Sequence, residues 1–223
     1  MVWLHSALAV LVKDMKLELR SRYALNVLMV FVLSALLVVL IAVGREDISA
    51  QAQAGLLWIV ILFAAAVGLG RSFVTEEEQG TVLLLRLHTT GSMVYAGKLL
   101  FNFVVGLGVN ALSLGVFVLL LNVEVTLPWL LMLTLCLGTL GLAGATTILA
   151  AIIARTTRRG PLLPVLLFPL LMPLLLSAID ATHQSLGGPG GWEASLNPLL
   201  ALFAFAGVVI TTSVLLFDYV WND

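Results

Sequence analysis

Long apolar stretches dominate the chain, and short polar stretches separate them. A helix that crosses the ~30 Å hydrocarbon core of a bilayer needs roughly 20 apolar residues. Helix is expected because lipid offers no partner to a free backbone N–H or C=O group. We therefore predict an all-α integral membrane protein, a single transmembrane domain over residues 1–223. Its six predicted spans are residues 24–43, 54–70, 99–121, 127–154, 162–179 and 198–217, of which the second is short and the fourth is longer than needed.

A shorter apolar pattern, over residues 1–22, precedes the first span. Leu4, Leu8, Leu11 and Met15 recur at helical spacing, and charged residues lie between them. This pattern predicts an amphipathic helix on the inner surface of the membrane. A basic anchor that only fixes the topology is an equally good interpretation, and the two are compatible.

Composition supports a membrane protein. Hydrophobic residues make up 61% of the chain and charged residues 10%, against about 25% charged in a soluble domain. The formal net charge of −1 gives no indication of nucleic-acid binding. The single cysteine, Cys136, excludes an internal disulfide.

The basic residues predict the orientation. With the N-terminus in the cytoplasm, ten of the eleven lysines and arginines fall inside and only Arg45 falls outside. Cytoplasmic loops carry such an excess of basic residues. We therefore predict that both termini are cytoplasmic. The ten are Lys13, Lys16, Arg20, Arg22, Arg71, Arg86, Lys98, Arg155, Arg158 and Arg159.

The longest predicted cytoplasmic segment is residues 71–98. It opens with the acidic cluster Glu76, Glu77 and Glu78, and residues 89–92 have the composition of a cap before another short helix. A segment of this kind suits docking to a soluble partner. A solvated connecting loop is the alternative.

Sequence motifs for catalysis or cofactor binding are absent. Gly97-Lys98 lacks the remaining residues of a Walker A motif, so any ATP hydrolysis belongs to another chain. The glycine-rich run at residues 187–191 has no following lysine and predicts a turn. The three histidines lack ligand spacing, and we interpret His183 as a solvated loop residue. No catalytic, cofactor-binding or metal-binding residue is predicted.

The spans contain no charged residue at mid-membrane, which argues against a proton-coupled carrier or an intramembrane protease. A substrate route would use apolar walls and neutral polar groups such as Asn102 and Asn110. Glycines in the fourth span permit tight packing, and prolines bend the fifth. We expect the glycine face to pack into the bend, although both sets can simply shape packing. The residues are Gly138, Gly141, Gly144, Pro164, Pro169 and Pro173.

The chain contains K-x-E-L-R at residues 16–20, F-x-x-E-x-x-x-G-T at residues 73–81, and six predicted spans. Together these features resemble the ABC-2 class of ABC-transporter permeases. Within that class, residues 17–26 and the proline-spaced run at residues 158–176 are similar to the haem exporter protein B (CcmB) family of cytochrome c maturation. The resemblance covers essentially the whole chain.

The resemblance implies a permease in the bacterial inner membrane, driven by a separate CcmA-like ATPase. It implies a permease homodimer, further CcmC-, CcmD- and CcmE-like partners, and haem as a possible substrate with no cofactor bound directly. Three functions remain open: haem export, mechanical release of haem-loaded chaperone, and export of a drug, lipid or polysaccharide. The residues expected to couple to the ATPase are Phe73, Glu76, Glu77, Glu78, Gly80 and Thr81.

Overall fold

The computed structural model describes residues 2–44, 48–69, 90–154 and 162–222. These residues form helices joined by short turns, and they include no strand. The helices are α1 (Val2–Ser21), α2 (Tyr23–Val43), α3 (Ala50–Gly68), α4 (Gly91–Leu121), α5 (Pro128–Ala154), α6 (Leu162–Ser185) and α7 (Gly191–Asn222).

Six of these helices, α2 to α7, are long and apolar enough to cross a membrane. The predicted fold class, an all-α integral membrane protein, is confirmed. Several helices extend beyond the predicted spans, because hydropathy marks the apolar part of a helix whereas local capping decides where the helix ends. For example, α3 begins at Ala50 and not at residue 54, since the Ser49 hydroxyl accepts a hydrogen bond from the backbone N–H of Ala52.

The largest extension is at the start of α4. A separate short helix was predicted before the third span, but one continuous helix runs from Gly91 to Leu121. That expectation was wrong because no proline or turn motif divides the two stretches. Lys98, which suggested the membrane boundary, is buried beside the carboxylate of Asp14 and so does not interrupt the helix.

The predicted outer loop of residues 180–197 is mostly helical. Only a short turn separates α6 from α7, and it contains the glycine-rich run. Gly187 has φ 104° and Gly191 has φ 53°, conformations that favour glycine. The backbone N–H of Gly190 donates to the side-chain oxygen of Gln184 at 3.1 Å. The predicted turn at residues 187–191 is confirmed.

Helix α5 is the centre of the bundle. It packs against α4, α6 and α7, while α3 bridges α2, α4 and α6 on one side. The outermost spans are α2 and α7, whose side chains are mostly exposed. The core is therefore built around the fourth span.

Helix α1 lies against the beginning of α4. Ala7, Val10 and Asp14 are buried there, whereas Leu4 and Leu8 are exposed. Leu4 and Leu8 of the predicted apolar stripe therefore face outward, where a membrane surface would cover them. The face of α1 that packs against α4 lies beside them.

A sharp corner joins α1 to α2. Arg22 takes a left-handed conformation with φ 52°. The Glu18 carboxylate accepts a hydrogen bond from the backbone N–H of Leu25 at 2.9 Å, so a side chain of α1 satisfies a donor in the first turn of α2. This contact lies within the stretch that carries part of the family resemblance.

Candidate functional site: the bundle centre and the start of α4

The predicted ATPase-coupling residues lie outside the described residues. This applies to Phe73, Glu76, Glu77, Glu78, Gly80 and Thr81. The last part of the predicted coupling segment, from residue 90 onward, is described and forms the first two turns of α4. These turns therefore connect the coupling segment directly to the third span.

The three predicted glycines of α5 together approach three neighbouring helices. At Gly138 an added Cβ would collide with the Trp58 indole of α3, and at Gly141 with Leu174 of α6. At Gly144 it would lie 3.2 Å from Ile210 of α7. The expectation that this face packs into the bend of the proline-containing span was wrong for two of the three glycines, since only Gly141 lies next to a side chain of α6.

Trp58 is the largest side chain at this centre, and it is fully buried. Its Nε1–H donates to the Thr182 hydroxyl of α6 at 2.8 Å. A buried indole needs such a partner. Sequence reasoning missed this role of Trp58, because nothing near it in the chain indicates which residues of other helices it contacts.

The two asparagines of the third span face α5. Asn102 Nδ2 donates to Thr147 Oγ1 at 2.9 Å, and Asn110 Nδ2 donates to Thr139 Oγ1 at 2.6 Å. Each threonine hydroxyl in turn donates to the backbone carbonyl four residues earlier in α5. Each hydroxyl thus accepts from one helix and donates to its own, which ties α4 to α5 inside the membrane.

The prolines of α6 lie on its outward side. Pro169 and Pro173 are exposed, and Pro164 lies in the first turn, where no intrahelical donor is required. The helix continues through all three positions. The Ser177 hydroxyl donates to the Pro173 carbonyl at 3.1 Å. The prolines therefore do not face the glycines of α5.

Among the described residues, a cavity bounded by α2, α3, α4 and α5 has a volume of about 10 Å³. Gly106, Asn110 and Thr139 contribute to its wall. The volume suffices for about one water molecule and is far below that of a pocket for an organic cofactor. A second, outward-facing groove of about 320 Å³ lies between α2 and α3 and is almost wholly apolar.

The start of α4 is held on two sides. On one side, Lys98 Nζ lies 2.9 Å from Asp14 Oδ2 of α1. On the other, an added Cβ at Gly91 would lie 2.5 Å from Asp218 Oδ1 of α7. The rings of Tyr95 and Phe217 also pack there, with centroids 5.3 Å apart. Three helices distant in sequence therefore meet at the end of the predicted coupling segment.

Sequence reasoning missed the contact between Asp14 and Lys98. Lys98 was counted only among the predicted cytoplasmic basic residues, and Asp14 is one of the charged residues within the amphipathic pattern of residues 1–22. The available signal was weak: a lysine at the head of an apolar span and an acidic residue on an amphipathic helix. Only the packing of α1 on α4 brings the two charges together.

Six long apolar helices, with α5 at their centre, define a multi-pass helical membrane protein. The CcmB protein family model matches residues 5–216, and this chain belongs to the CcmB family.

Curated relatives agree with this assignment. The chain is 31% identical to Heme exporter protein B of Paracoccus denitrificans, covering 92% of this chain and 91% of that protein. It is 28% identical to the protein of the same name from Bradyrhizobium diazoefficiens, covering 88% and 90%. It is 34% identical to that of Pseudomonas aeruginosa over 74% and 78%.

Proposed function

We propose that this chain is the membrane-embedded permease subunit of a haem-export complex that serves cytochrome c maturation. The observation that carries the proposal is the CcmB family match over residues 5–216. The relatives named Heme exporter protein B support it, since three of them align with most of the chain. The location that goes with this proposal is the bacterial inner membrane, with both termini in the cytoplasm.

In this proposal, energy comes from a separate CcmA-like ATPase. The ATPase docks on residues 71–98 of a permease homodimer, and ATP binding and hydrolysis displace this segment. The last part of the segment forms the start of α4, so the displacement reaches the third span. CcmC-, CcmD- and CcmE-like proteins would handle the haem.

A second candidate function is mechanical coupling, in which the chain helps to release haem-loaded chaperone and carries no haem itself. The pairing of Asn102 and Asn110 with threonines of α5 favours this alternative. The two side chains that were candidates to line a substrate route thereby donate hydrogen bonds between helices of the bundle. No observation favours a drug, lipid or polysaccharide substrate.

Co-purification tests the ATPase partner. The tagged chain is extracted from native membranes in mild detergent, and the associated proteins are identified by mass spectrometry. We expect an ABC-type ATPase. Reversing Glu76, Glu77 and Glu78 to lysine should reduce its recovery, because charge complementarity at an interface governs association.

The chain offers a matched control for that variant. Glu124, Asp180 and Glu193 are three exposed carboxylates on the predicted outer side. Their triple reversal to lysine should leave ATPase recovery unchanged. Equal recovery with both triple variants would count against an acidic docking site, and absence of any ATPase from the wild-type preparation would count against the proposed function.

Reporter fusions test the orientation. Fusions after Asp218 and within residues 71–98 should report the cytoplasm, and a fusion near Gly188 should report the opposite side. The basis is the ten-to-one distribution of basic residues. An outer C-terminus would refute the six-span arrangement proposed for the membrane.

The prolines of α6 give a further test. A proline inside a helix removes one backbone hydrogen bond, and we propose that the weakened stretch around Pro169 and Pro173 lets α6 bend when the complex changes state. Replacing both with alanine should keep the protein in the membrane and lower cytochrome c production. Full complementation at normal protein level would remove the case for a functional bend.

A further inference from the structure

A pair of opposite charges is buried between α1 and α4. Lys98 Nζ lies 2.9 Å from Asp14 Oδ2, and the two side chains are only 1% and 6% exposed. Lys13 Nζ lies 3.3 Å from the other carboxylate oxygen. Removing charges from water is costly, so a buried ion pair contributes little net stability but strongly disfavours any arrangement that separates its members. Its main consequence is to fix how α1 sits on α4.

Two further contacts fix the same arrangement. The Trp3 Nε1–H donates to the Ser92 hydroxyl at 3.2 Å. At Gly97, an added Cβ would lie 2.7 Å from the Ala7 carbonyl oxygen, so the two helix backbones approach closely. The contacts advance together along both helices, from Trp3 and Ser92 to Asp14 and Lys98. The first two turns of α4 are therefore in register with α1.

The contacts between α1 and α4 lie where a movement of the preceding segment would enter α4. Ser92 and Lys98 belong to the part of α4 that follows directly after residues 70–89. A displacement applied there can reach α1 only while α1 remains attached to α4. A purely lipid-bound surface helix would not need a buried charge at this point, because lipid packs equally well against any apolar face.

We propose that Asp14 and Lys98 are positioning residues that lock α1 onto the start of α4, so that the two helices move as one unit. The inference rests on the proposed function, because the movement is the one that the partner ATPase would drive. Within it, α1 transmits the displacement to the membrane surface and, through the corner at Arg22, to the first span.

Cysteine labelling tests the lock without any partner. In a Cys136→Ser background, adjacent positions of α1 provide a probe and its control: Val10 is buried under α4, whereas Ala9 is exposed. A cysteine at position 10 should react slowly with a water-soluble maleimide, and one at position 9 should react fast. Adding Lys98→Met should speed labelling at position 10 by about tenfold and leave position 9 unchanged, because loss of the ion pair increases the population in which α1 has separated from α4. A tenfold change corresponds to about 1.4 kcal/mol.

Asp14→Asn is the second variant, because it keeps the shape of the side chain and removes only its charge. It should also increase labelling at position 10, and it replaces Lys98→Met in the test if Lys98→Met accumulates poorly in the membrane. Unchanged labelling at position 10 in a folded variant of either kind would overturn the lock.

A second measurement addresses transmission. Lys98→Met should retain the ATPase in co-purification but lower cytochrome c production at least severalfold at equal protein level. Normal production in a variant with increased labelling would overturn the transmitting role of α1. If the wild-type chain recovers no ATPase, the proposed function fails while the labelling result still decides the lock.

Discussion

The fourth span, α5, and the first span, α2, have opposite environments within the bundle. In α5, 72% of the apolar stretch is buried by the rest of the chain, against 17% in α2, although α2 is the more apolar of the two. In a soluble protein the more apolar helix is expected inside. In a membrane, apolar side chains gain no hydrophobic free energy by moving from lipid into the protein interior. Close packing and polar contacts therefore decide which helix is central.

The sequences of the two helices reflect this difference. Helix α2 contains no glycine, whereas α5 presents Gly138, Gly141 and Gly144 to three neighbouring helices. Helix α5 also contributes Thr139 and Thr147, which accept hydrogen bonds from α4. Small and hydroxylated residues therefore distinguish the central span from the peripheral one.

The largest effect is expected at Gly138. Leucine at this position would collide with the Trp58 indole, which is fully buried and has little room to move. Overpacking of this kind costs about 3 kcal/mol, so most of the protein should fail to reach the folded state. Resistance to SDS in mixed micelles measures the loss. Gly108→Leu is the control, because an added Cβ there meets nothing within 4 Å, and equal losses would contradict the packed centre.

A smaller effect is expected at Trp58 itself. Trp58→Phe preserves much of the ring but removes the hydrogen bond to Thr182. Loss of one buried partner costs about 1–2 kcal/mol. The same assay provides the measurement, with Trp129→Phe as the control because Trp129 is 81% exposed. If Trp129→Phe destabilises the protein as much as Trp58→Phe, the hydrogen bond to Thr182 makes no specific contribution to stability.

The asparagine–threonine contacts should contribute less. A double-mutant cycle with Asn110→Leu and Thr139→Val isolates the contact between α4 and α5. Interhelical hydrogen bonds in membranes contribute about 0.6 kcal/mol, and we expect a coupling of that size. Strictly additive single effects would show that the two side chains do not interact in the folded protein.

The smallest effects are expected in α2. Val38→Ala and Ile41→Ala shorten side chains that are 65% and 78% exposed, and each should change stability by less than about 0.5 kcal/mol. Thermal unfolding in lipid nanodiscs measures the change in stability of each variant. A loss above about 1 kcal/mol would show that protein, and not lipid, covers this face, and it would point to α2 as an interface of the proposed homodimer.

The sequence predicts the membrane-spanning helices well because their signal is local. About 20 apolar residues in a row have few alternatives to a spanning helix. The turn at residues 187–191 was predictable for the same reason, since glycines there adopt positive φ values. Hydropathy says less about helix ends, as the early start of α4 at Gly91 illustrates.

Helix pairing was not predictable in the same way. Gly138 and Trp58 are far apart in the chain, and nothing local indicates that one receives the other. Asp14 and Lys98 were each consistent with a solvated surface, and only the docking of α1 brings them within 2.9 Å. The predicted ATPase-coupling residues, Phe73 to Thr81, lie outside the described residues and stay a prediction.

The central proposal is that this chain is required for haem handling in cytochrome c maturation, and gene deletion in the native host tests it most directly. Haem staining of membrane proteins measures c-type cytochromes, and absorption spectra measure b-type cytochromes in the same membranes. We predict that deletion abolishes the c-type signal and leaves the b-type signal at its wild-type level, and that the wild-type gene restores the c-type signal. Normal c-type cytochromes in the deletion strain would contradict it.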